Sequence, residues 1–179
     1  MLTITIPSIE LFDEVTNTFT SSKEQALQLE HSLVSLSKWE SKWCKPFLTK
    51  EDKTFDEGVD YIKCMTLTQN VPQEAYNGID LRIIAQVSEY IEAPMTATTL
   101  KQKQKRANTE VITGEIIYWW MISFGIPMEC QKWHLNRLLT LINVCSIKND
   151  SGEKMSKNEI LARNKAENAA RKARIGTTG

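Results

Sequence analysis

Hydrophobic and polar residues alternate near the start of the chain, in two short segments. Leu2, Ile4 and Ile6 are separated by single threonines and followed by Pro7. This period of two predicts a strand that ends at the proline. The segment 27–30 alternates in the same way and predicts a second strand that pairs with the first. Because a two-stranded ribbon is only marginally stable alone, we expect it to pack against helices.

From Ser32 onward the apolar residues recur at three- and four-residue steps, which predicts helices. The first helix begins after Ser32, a good N-cap, and is stopped by Pro46. Thr54 and Glu57 fit a capping box that opens a second helix, and a third begins after Asp80. The predicted apolar stripes of these helices are Leu33, Leu36, Trp39 and Trp43, then Val59, Ile62 and Met65, then Leu81, Ile84, Val87 and Ile91.

The segment 115–145 has the densest apolar and aromatic content and holds three of the five tryptophans of the chain. A helix is predicted to begin at Asn108 or Thr109 and to end at Gly125. Pro127 suits the first turn of a following helix, so the short connection predicts an αα-hairpin. The predicted apolar residues are Ile112, Ile116, Trp119 and Trp120 in the first helix and Leu135, Leu138, Ile142 and Cys145 in the second.

Together these elements predict a mainly α (α+β) fold, with a helical core of about five helices, a small N-terminal two-stranded β element and a basic C-terminal helix or tail. We expect a helical globular domain over residues 1–150. We expect residues 151–179 to form a conditionally helical tail, because Ser156 and Glu159 fit a capping box but little apolar area follows. The predicted core comprises Leu33, Leu36, Trp39, Trp43, Ile62, Ile84, Val87, Ile116, Trp120, Leu135, Leu138 and Ile142.

The composition is that of a globular protein, with 41% hydrophobic and 25% charged residues. Basic and acidic residues balance at 22 each, but from residue 148 onward eight Lys and Arg face four Asp and Glu, a local charge of +4. The start has no secretory signal pattern, and the apolar runs are shorter than the roughly 18–20 residues of a membrane helix. We therefore expect a cytoplasmic protein with four reduced, mostly buried cysteines.

Few residues offer candidate chemistry. Cys130 and His134 are four positions apart, so on a helix they would share a face and offer two metal ligands or a thiol–imidazole pair. A structural zinc site needs two more ligands, and a helical turn supplies no oxyanion hole. We expect His31 to be structural, and the acidic pairs 13–14, 51–52 and 56–57 to be solvated helix caps. The sequence thus predicts no catalytic residue, no metal, no cofactor and no enzymatic activity.

Two places are candidates for binding another protein. Trp119 and Trp133 are the first, because tryptophan is a usual anchor of protein interfaces. The basic tail is the second, as an element that docks onto an acidic partner. Nucleic-acid binding is not expected, since Glu159 and Glu167 interrupt the tail and the basic loop predicted over 93–108 lacks stacking aromatics. The candidate tail residues are Lys157, Arg163, Arg171 and Arg174.

Several strings of the sequence resemble a known family. They are SLVSLSKWESKWCKPFL, DYIKCMTL, IIYWWMISFGIPMECQKWHLNRLLTLINVC and KMSKNEILARNKAENAARKARIG. The chain resembles, over nearly its whole length, the tail assembly chaperones of tailed bacteriophages. The resemblance implies a non-enzymatic protein of the host cytoplasm that binds the phage tape-measure protein and the tail-tube protein during tail assembly.

The resemblance leaves several points open. Family members are often made partly as a longer, frameshifted product, and the protein sequence does not show whether this one is. Homo-oligomerisation is likewise open, and no catalytic residues come with the family. The alternative interpretation is a virion structural protein that resembles small baseplate, hub or tail subunits and stays in the virion tail.

Overall fold

The computed structural model describes residues 1–13, 17–49, 53–99 and 111–150. Four strands and five α-helices lie within these ranges, with two 3₁₀ helices between them. The strands are β1 (Leu2–Ile6), β2 (Ile9–Asp13), β3 (Thr18–Ser22) and β4 (Gln25–Leu29). The helices are α1 (Leu33–Trp43), α2 (Phe55–Met65), the first 3₁₀ helix (Gln73–Gly78), α3 (Leu81–Glu92), α4 (Gly114–Ser123), the second 3₁₀ helix (Met128–Lys132) and α5 (Leu135–Asp150). The predicted mainly α (α+β) class is confirmed.

The predicted pairing of the two alternating segments is also confirmed. β1 and β4 are antiparallel, with Leu2 opposite Leu29 and Ile4 opposite Leu27. Ile4, Ile6, Leu27 and Leu29 are at most 1% exposed, as the alternation requires, whereas Leu2 at the start of β1 is half-buried. A second antiparallel pair, β2 with β3, was not predicted. The alternation in β2 is interrupted where Phe12 follows Leu11, and β3 has only one apolar residue, Phe19, so neither strand shows a sustained period of two.

The three predicted N-caps are confirmed. Ser32 forms a capping box with Ser35, and Thr54 forms one with Glu57. Asp80 accepts hydrogen bonds from two amides in the first turn of α3. α1 ends at Cys44 in a left-handed conformation with φ of 52°, before Pro46 is reached.

The buried face of α3 differs from the predicted stripe. Ile83, Val87 and Tyr90 are buried, whereas Leu81 is 73% exposed. Val87 is therefore the one member of the predicted stripe that is fully buried. Apolar residues lie on more than one side of the first turn of α3. Steps of three and four residues therefore fit two neighbouring faces of the helix, and the pattern does not show which of them is buried.

α4 also departs from the prediction. It begins at Gly114, so the predicted start at Asn108 or Thr109 is wrong for the described residues, and Ile112 precedes the helix. Its buried side is formed by Ile117 and Met121, while Ile116 and Trp120 are only half-buried. Since nearly every position of α4 is apolar, the pattern carried no contrast from which to choose a face.

The predicted αα-hairpin between α4 and the next helix is wrong. Gly125, with φ of 64°, does end α4. After it, Pro127 leads into the second 3₁₀ helix, and α5 begins only at Leu135. The amide of Leu135 donates to the carbonyl of His31 at 2.7 Å, so a contact with a distant segment sets the start of α5.

The core contains most of the predicted residues. Trp43 and Ile84 are half-buried and depart from the prediction, as Ile116 and Trp120 do. The predicted residues that are buried are Leu33, Leu36, Trp39, Ile62, Val87, Leu135, Leu138 and Ile142.

The described chain contains one compact unit, Met1–Asn143, and the beginning of a second, Val144–Gly179. Of the second unit, the structure describes the last turns of α5 up to Asp150. The predicted boundary after residue 150 stays a prediction. The tail 151–179 and most of the predicted basic loop, with its cluster at 101–106, lie outside the described residues.

Candidate protein-binding surface

The outward side of α4 carries exposed apolar side chains. Trp119 is 63% exposed and Ile122 is 70% exposed. Glu115, also exposed, lies one turn before Trp119. Steps of four and three residues place these side chains on one face of the helix, which we call the α4 stripe (Glu115, Trp119, Ile122). The opposite face buries Ile117 and Met121, so α4 offers apolar surface on two sides.

A carboxylate from α1 fixes the start of α4. Glu40 is buried, and its Oε2 accepts a hydrogen bond from the amide of Gly114 at 2.7 Å. Its Oε1 accepts one from the amide of Phe47 at 2.8 Å. The N-cap residue Thr113 makes no side-chain capping hydrogen bond, so Glu40 takes over that role from another helix.

Gly114 leaves room for this contact. A Cβ atom at this position would lie 3.1 Å from Oε2 of Glu40 and 3.4 Å from Cδ2 of Leu36. The glycine thus lets the backbone of α4 approach the carboxylate and α1 closely. This approach sets where the α4 stripe is presented.

The far end of α4 is held as well. The amide of Ile126 donates to the carbonyl of Met121 at 2.8 Å, which closes the last turn around Gly125. The hydroxyl of Tyr118 donates to Oε1 of Gln131 at 2.8 Å, which joins α4 to the second 3₁₀ helix. Both ends of the helix are therefore fixed by the fold.

The other predicted tryptophan is in a different setting. Trp133 is half-buried, and the guanidinium of Arg137 lies 4.1 Å from its ring centroid. In the described part of the chain no ring contact joins Trp119 to Trp133. The two candidate residues thus do not form one aromatic cluster, and only Trp119 offers an uncovered face. Lys157, Arg163, Arg171 and Arg174 lie outside the described residues.

The arrangement proposed for Cys130 and His134 on one helix is wrong. Cys130 lies in the second 3₁₀ helix, and His134 precedes α5. Nε2 of His134 is 3.1 Å from the carbonyl of Tyr90, and Nδ1 accepts from the amide of Asn136 at 3.3 Å. Both ring nitrogens are therefore engaged away from the thiol. Within residues 1–13, 17–49, 53–99 and 111–150, no group of three or more His, Cys, Asp or Glu is placed to hold a metal ion.

The cysteines are all free, as predicted, but not mostly buried. Cys130 alone is fully buried, Cys64 and Cys145 are half-buried, and Cys44 is exposed. Burial raises the pKa of Cys64, which keeps it in the less reactive thiol form.

The burial of two carboxylates of α2, Glu57 and Asp60, was not predicted from the sequence. Glu57 caps α2 as predicted, but it is buried instead of solvated, with Oε1 2.7 Å from Nζ of Lys45. Asp60 accepts from Lys42 and, at 2.9 Å, from Nε1 of Trp43. The hydrogen bond from Lys45 lowers the pKa of Glu57. Burial alone would raise the pKa of Asp60, but the hydrogen bonds from Lys42 and Trp43 outweigh burial, so the pKa of Asp60 is lowered. Neither group is the proton-holding acid that acid catalysis requires.

An open cleft of about 440 Å³ lies beside these carboxylates. Both oxygens of Asp60 are already bonded, and Nζ of Lys63 lies 5.4 Å from the ring centroid of Tyr76. Asp60 and Lys63 are thus engaged within the fold. The cleft is lined by Trp43, Phe55, Asp56, Val59, Asp60, Lys63, Tyr76, Asn77 and Ile79.

In the ranges that the structure describes, none of the helices combines the length and the apolar character needed to cross a membrane. No protein-family model, no curated protein and no solved structure matches this chain.

Proposed function

We propose that this chain is a bacteriophage tail assembly chaperone, which binds the tape-measure protein and tail-tube subunits in the cytoplasm of the infected cell. Two kinds of observation support the proposal. The first is the resemblance of its sequence to that family over nearly the whole chain. The second is the α4 stripe, an apolar surface held in place at both ends of the helix and turned outward.

The exposure of Trp119 is the observation that carries the proposal on the structural side. A tryptophan that is 63% exposed leaves a large apolar area in water, and covering it with a partner is favourable. Ile122 extends this area by one helical turn. An amphipathic helix laid along the α4 stripe would cover both side chains through its own three- and four-residue spacing. Long helical chains of this kind are what the family covers.

The test is capture of the tape-measure protein that the proposal assigns as the partner. Both proteins are co-expressed, and the amount captured by tagged wild-type chain is compared with that captured by Trp119→Ala. We expect at least about tenfold weaker binding for the variant, because a tryptophan at the centre of an interface contributes about 2 kcal/mol or more.

Leu81→Ala is the matched control for this experiment. Leu81 is 73% exposed, like Trp119, but it begins α3. The control should capture as much tape-measure protein as the wild type. Equal capture by Trp119→Ala and wild type would remove the α4 stripe from the proposal.

The tail is tested separately. A chain without residues 151–179 should stay folded but bind its partner more weakly, since Lys157, Arg163, Arg171 and Arg174 are removed. Undiminished binding would contradict a role for the tail.

Particle composition distinguishes the chaperone from a virion subunit. A chaperone acts before the tail is complete, so mass spectrometry of purified particles should not detect this chain. Its presence at a fixed copy number would instead favour a baseplate, hub or tail subunit.

A further inference from the structure

The fold brings the only two histidines of the chain into contact. His31 and His134 lie far apart in the sequence, yet their ring centroids are 5.1 Å apart in a T-shaped arrangement. His31 is 1% exposed and His134 is 7% exposed. Polar residues rarely reach this degree of burial unless their nitrogens are hydrogen-bonded.

His134 holds the end of α3 against the start of α5. The carbonyl of Tyr90 can only accept, so Nε2 of His134 carries a proton and donates to it at 3.1 Å. Nδ1 is then free to accept from the amide of Asn136 at 3.3 Å, as an N-cap does. The side chain of Asn136 donates in turn to the carbonyls of Ile91 and Ala93 at 2.8 and 2.9 Å.

His31 completes the cluster on the other side. Its Nδ1 is 2.6 Å from the hydroxyl of Tyr61 on α2. The ring also packs edge-on against Tyr61, and Phe47 lies beside it with ring centroids 6.4 Å apart. The neutral form of the imidazole fits this apolar environment.

A second proton on His134 would be opposed by its surroundings. It would occupy Nδ1, which then faces the Asn136 amide as donor against donor. The positive end of the α5 dipole and the neighbouring His31 ring disfavour the added charge as well.

The anionic groups near the cluster are already engaged. Glu30 bonds the hydroxyl of Tyr90 at 2.7 Å and the amino group of Met1 at 3.1 Å. Both oxygens of Glu40, which faces Tyr61 from α1, accept backbone amides. Burial raises the pKa of both tyrosines, so neither phenol supplies a negative charge near neutral pH. Among the described residues around the cluster, no carboxylate is left to pair fully with a charged imidazole.

We propose that His31 and His134 form an acid-sensitive latch, in which uptake of a proton at Nδ1 of His134 breaks its N-cap hydrogen bond to Asn136 and loosens the start of α5, from which the Asn136 side chain holds the end of α3. The titration behaviour agrees with the geometry. Burial, and then the charge that His134 would carry, lowers the pKa of His31 to about 3. Burial also lowers the pKa of His134, although Tyr90 and Glu30 act in the opposite direction. His134 therefore takes up a proton before His31 as the pH falls.

The direction of the effect follows from these shifts. Above the ordinary histidine pKa of 6.5 both folded and unfolded chains are neutral at these sites, so stability is full. Below pH 6.5 the two histidines bind protons in the unfolded chain but stay neutral in the folded chain. The unfolding equilibrium constant then rises by up to about tenfold per pH unit for each histidine, until the folded-state pKa is reached.

Urea unfolding between about pH 7.5 and about pH 5 tests the latch, because histidine is the side chain that titrates there. Wild-type stability should fall over this range. His134→Asn, which keeps an N-cap side chain without a titrating group, should remove part of the slope. The double variant with His31→Gln should be flat. A flat wild-type profile, or an unchanged slope in the double variant, would overturn the proposal.

Two measurements on the folded protein keep the test decisive if a variant does not fold. Imidazole NMR signals of the wild type should titrate below pH 6.5 in the native state, that of His31 by the larger margin, and midpoints at the ordinary value would refute the latch. Amide exchange locates the opening. Protection of the Asn136 amide should fall with pH more than that of Ile117 in α4, whereas an equal loss at both would contradict a local release.

Discussion

α1 and α4 have nearly the same length, 11 and 10 residues, but each places one tryptophan in a setting opposite to that of the other. Trp39 of α1 is 1% exposed, whereas Trp119 of α4 is 63% exposed. Nε1 of Trp39 donates to the carbonyl of Glu57 at 3.0 Å, so the buried indole is also hydrogen-bonded. The same residue type thus stabilises the fold in one helix and faces water in the other.

The difference follows from how apolar residues are distributed around each helix. α1 places most of its apolar residues on one face and carries lysines on another, so one orientation buries most of its apolar area. α4 is apolar on nearly every side, so any orientation leaves apolar area in water. Only one face of α4 is buried in the fold. The outward one stays exposed, and we propose that it is the surface that binds another protein.

The largest expected effect is that of Trp39→Ala. Removing a buried tryptophan leaves a cavity and takes one hydrogen bond away from the carbonyl of Glu57, which we expect to lower the free energy of unfolding by about 3–5 kcal/mol. Urea denaturation measures the change. Trp39→Phe is the control, because it keeps most of the packing and should cost about 1–2 kcal/mol for the lost hydrogen bond. A loss below that of the phenylalanine variant would show that α1 is not the better-packed helix.

An intermediate effect is expected at the contact between the two helices. Glu40→Ala leaves the amides of Phe47 and Gly114 without their acceptor, which we expect to lower the free energy of unfolding by about 1–3 kcal/mol. Amide exchange at Gly114 should accelerate in the variant. Glu40→Gln retains one carbonyl oxygen, so its loss should lie between wild type and alanine. Identical stability of all three proteins would mean that Glu40 does not fix the start of α4.

The same contrast explains what could be predicted from the sequence. The starts of α1, α2 and α3 were predicted correctly, because Ser32, Thr54 and Asp80 cap them through neighbouring residues. The alternation of β1 and β4 likewise reads directly as a buried face. These are local signals, and the structure confirms them.

The remaining features depend on contacts between distant segments. α4 starts where Glu40 of α1 meets Gly114, and α5 starts where His31 holds Leu135. Neither of these two contacts can be predicted from a local sequence pattern. The sequence suggested Trp119 as a binding residue only because it is a tryptophan. Its exposure follows from the orientation of α4, which buries Ile117 and Met121 on the opposite side. The contact between the two histidines left no signal in the sequence.

The smallest expected effect on stability is that of Trp119→Ala, and it tests the comparison most directly. Because Trp119 is largely in water and alanine favours helix, the free energy of unfolding should change by less than about 0.5 kcal/mol. Urea denaturation of this variant beside Trp39→Ala gives the contrast in one experiment. A loss of more than about 1 kcal/mol would show that Trp119 is packed within the fold, and the binding role would lose its physical basis. Unchanged stability together with weaker capture of the tape-measure protein would assign the outward face of α4 to binding and its inner face to folding.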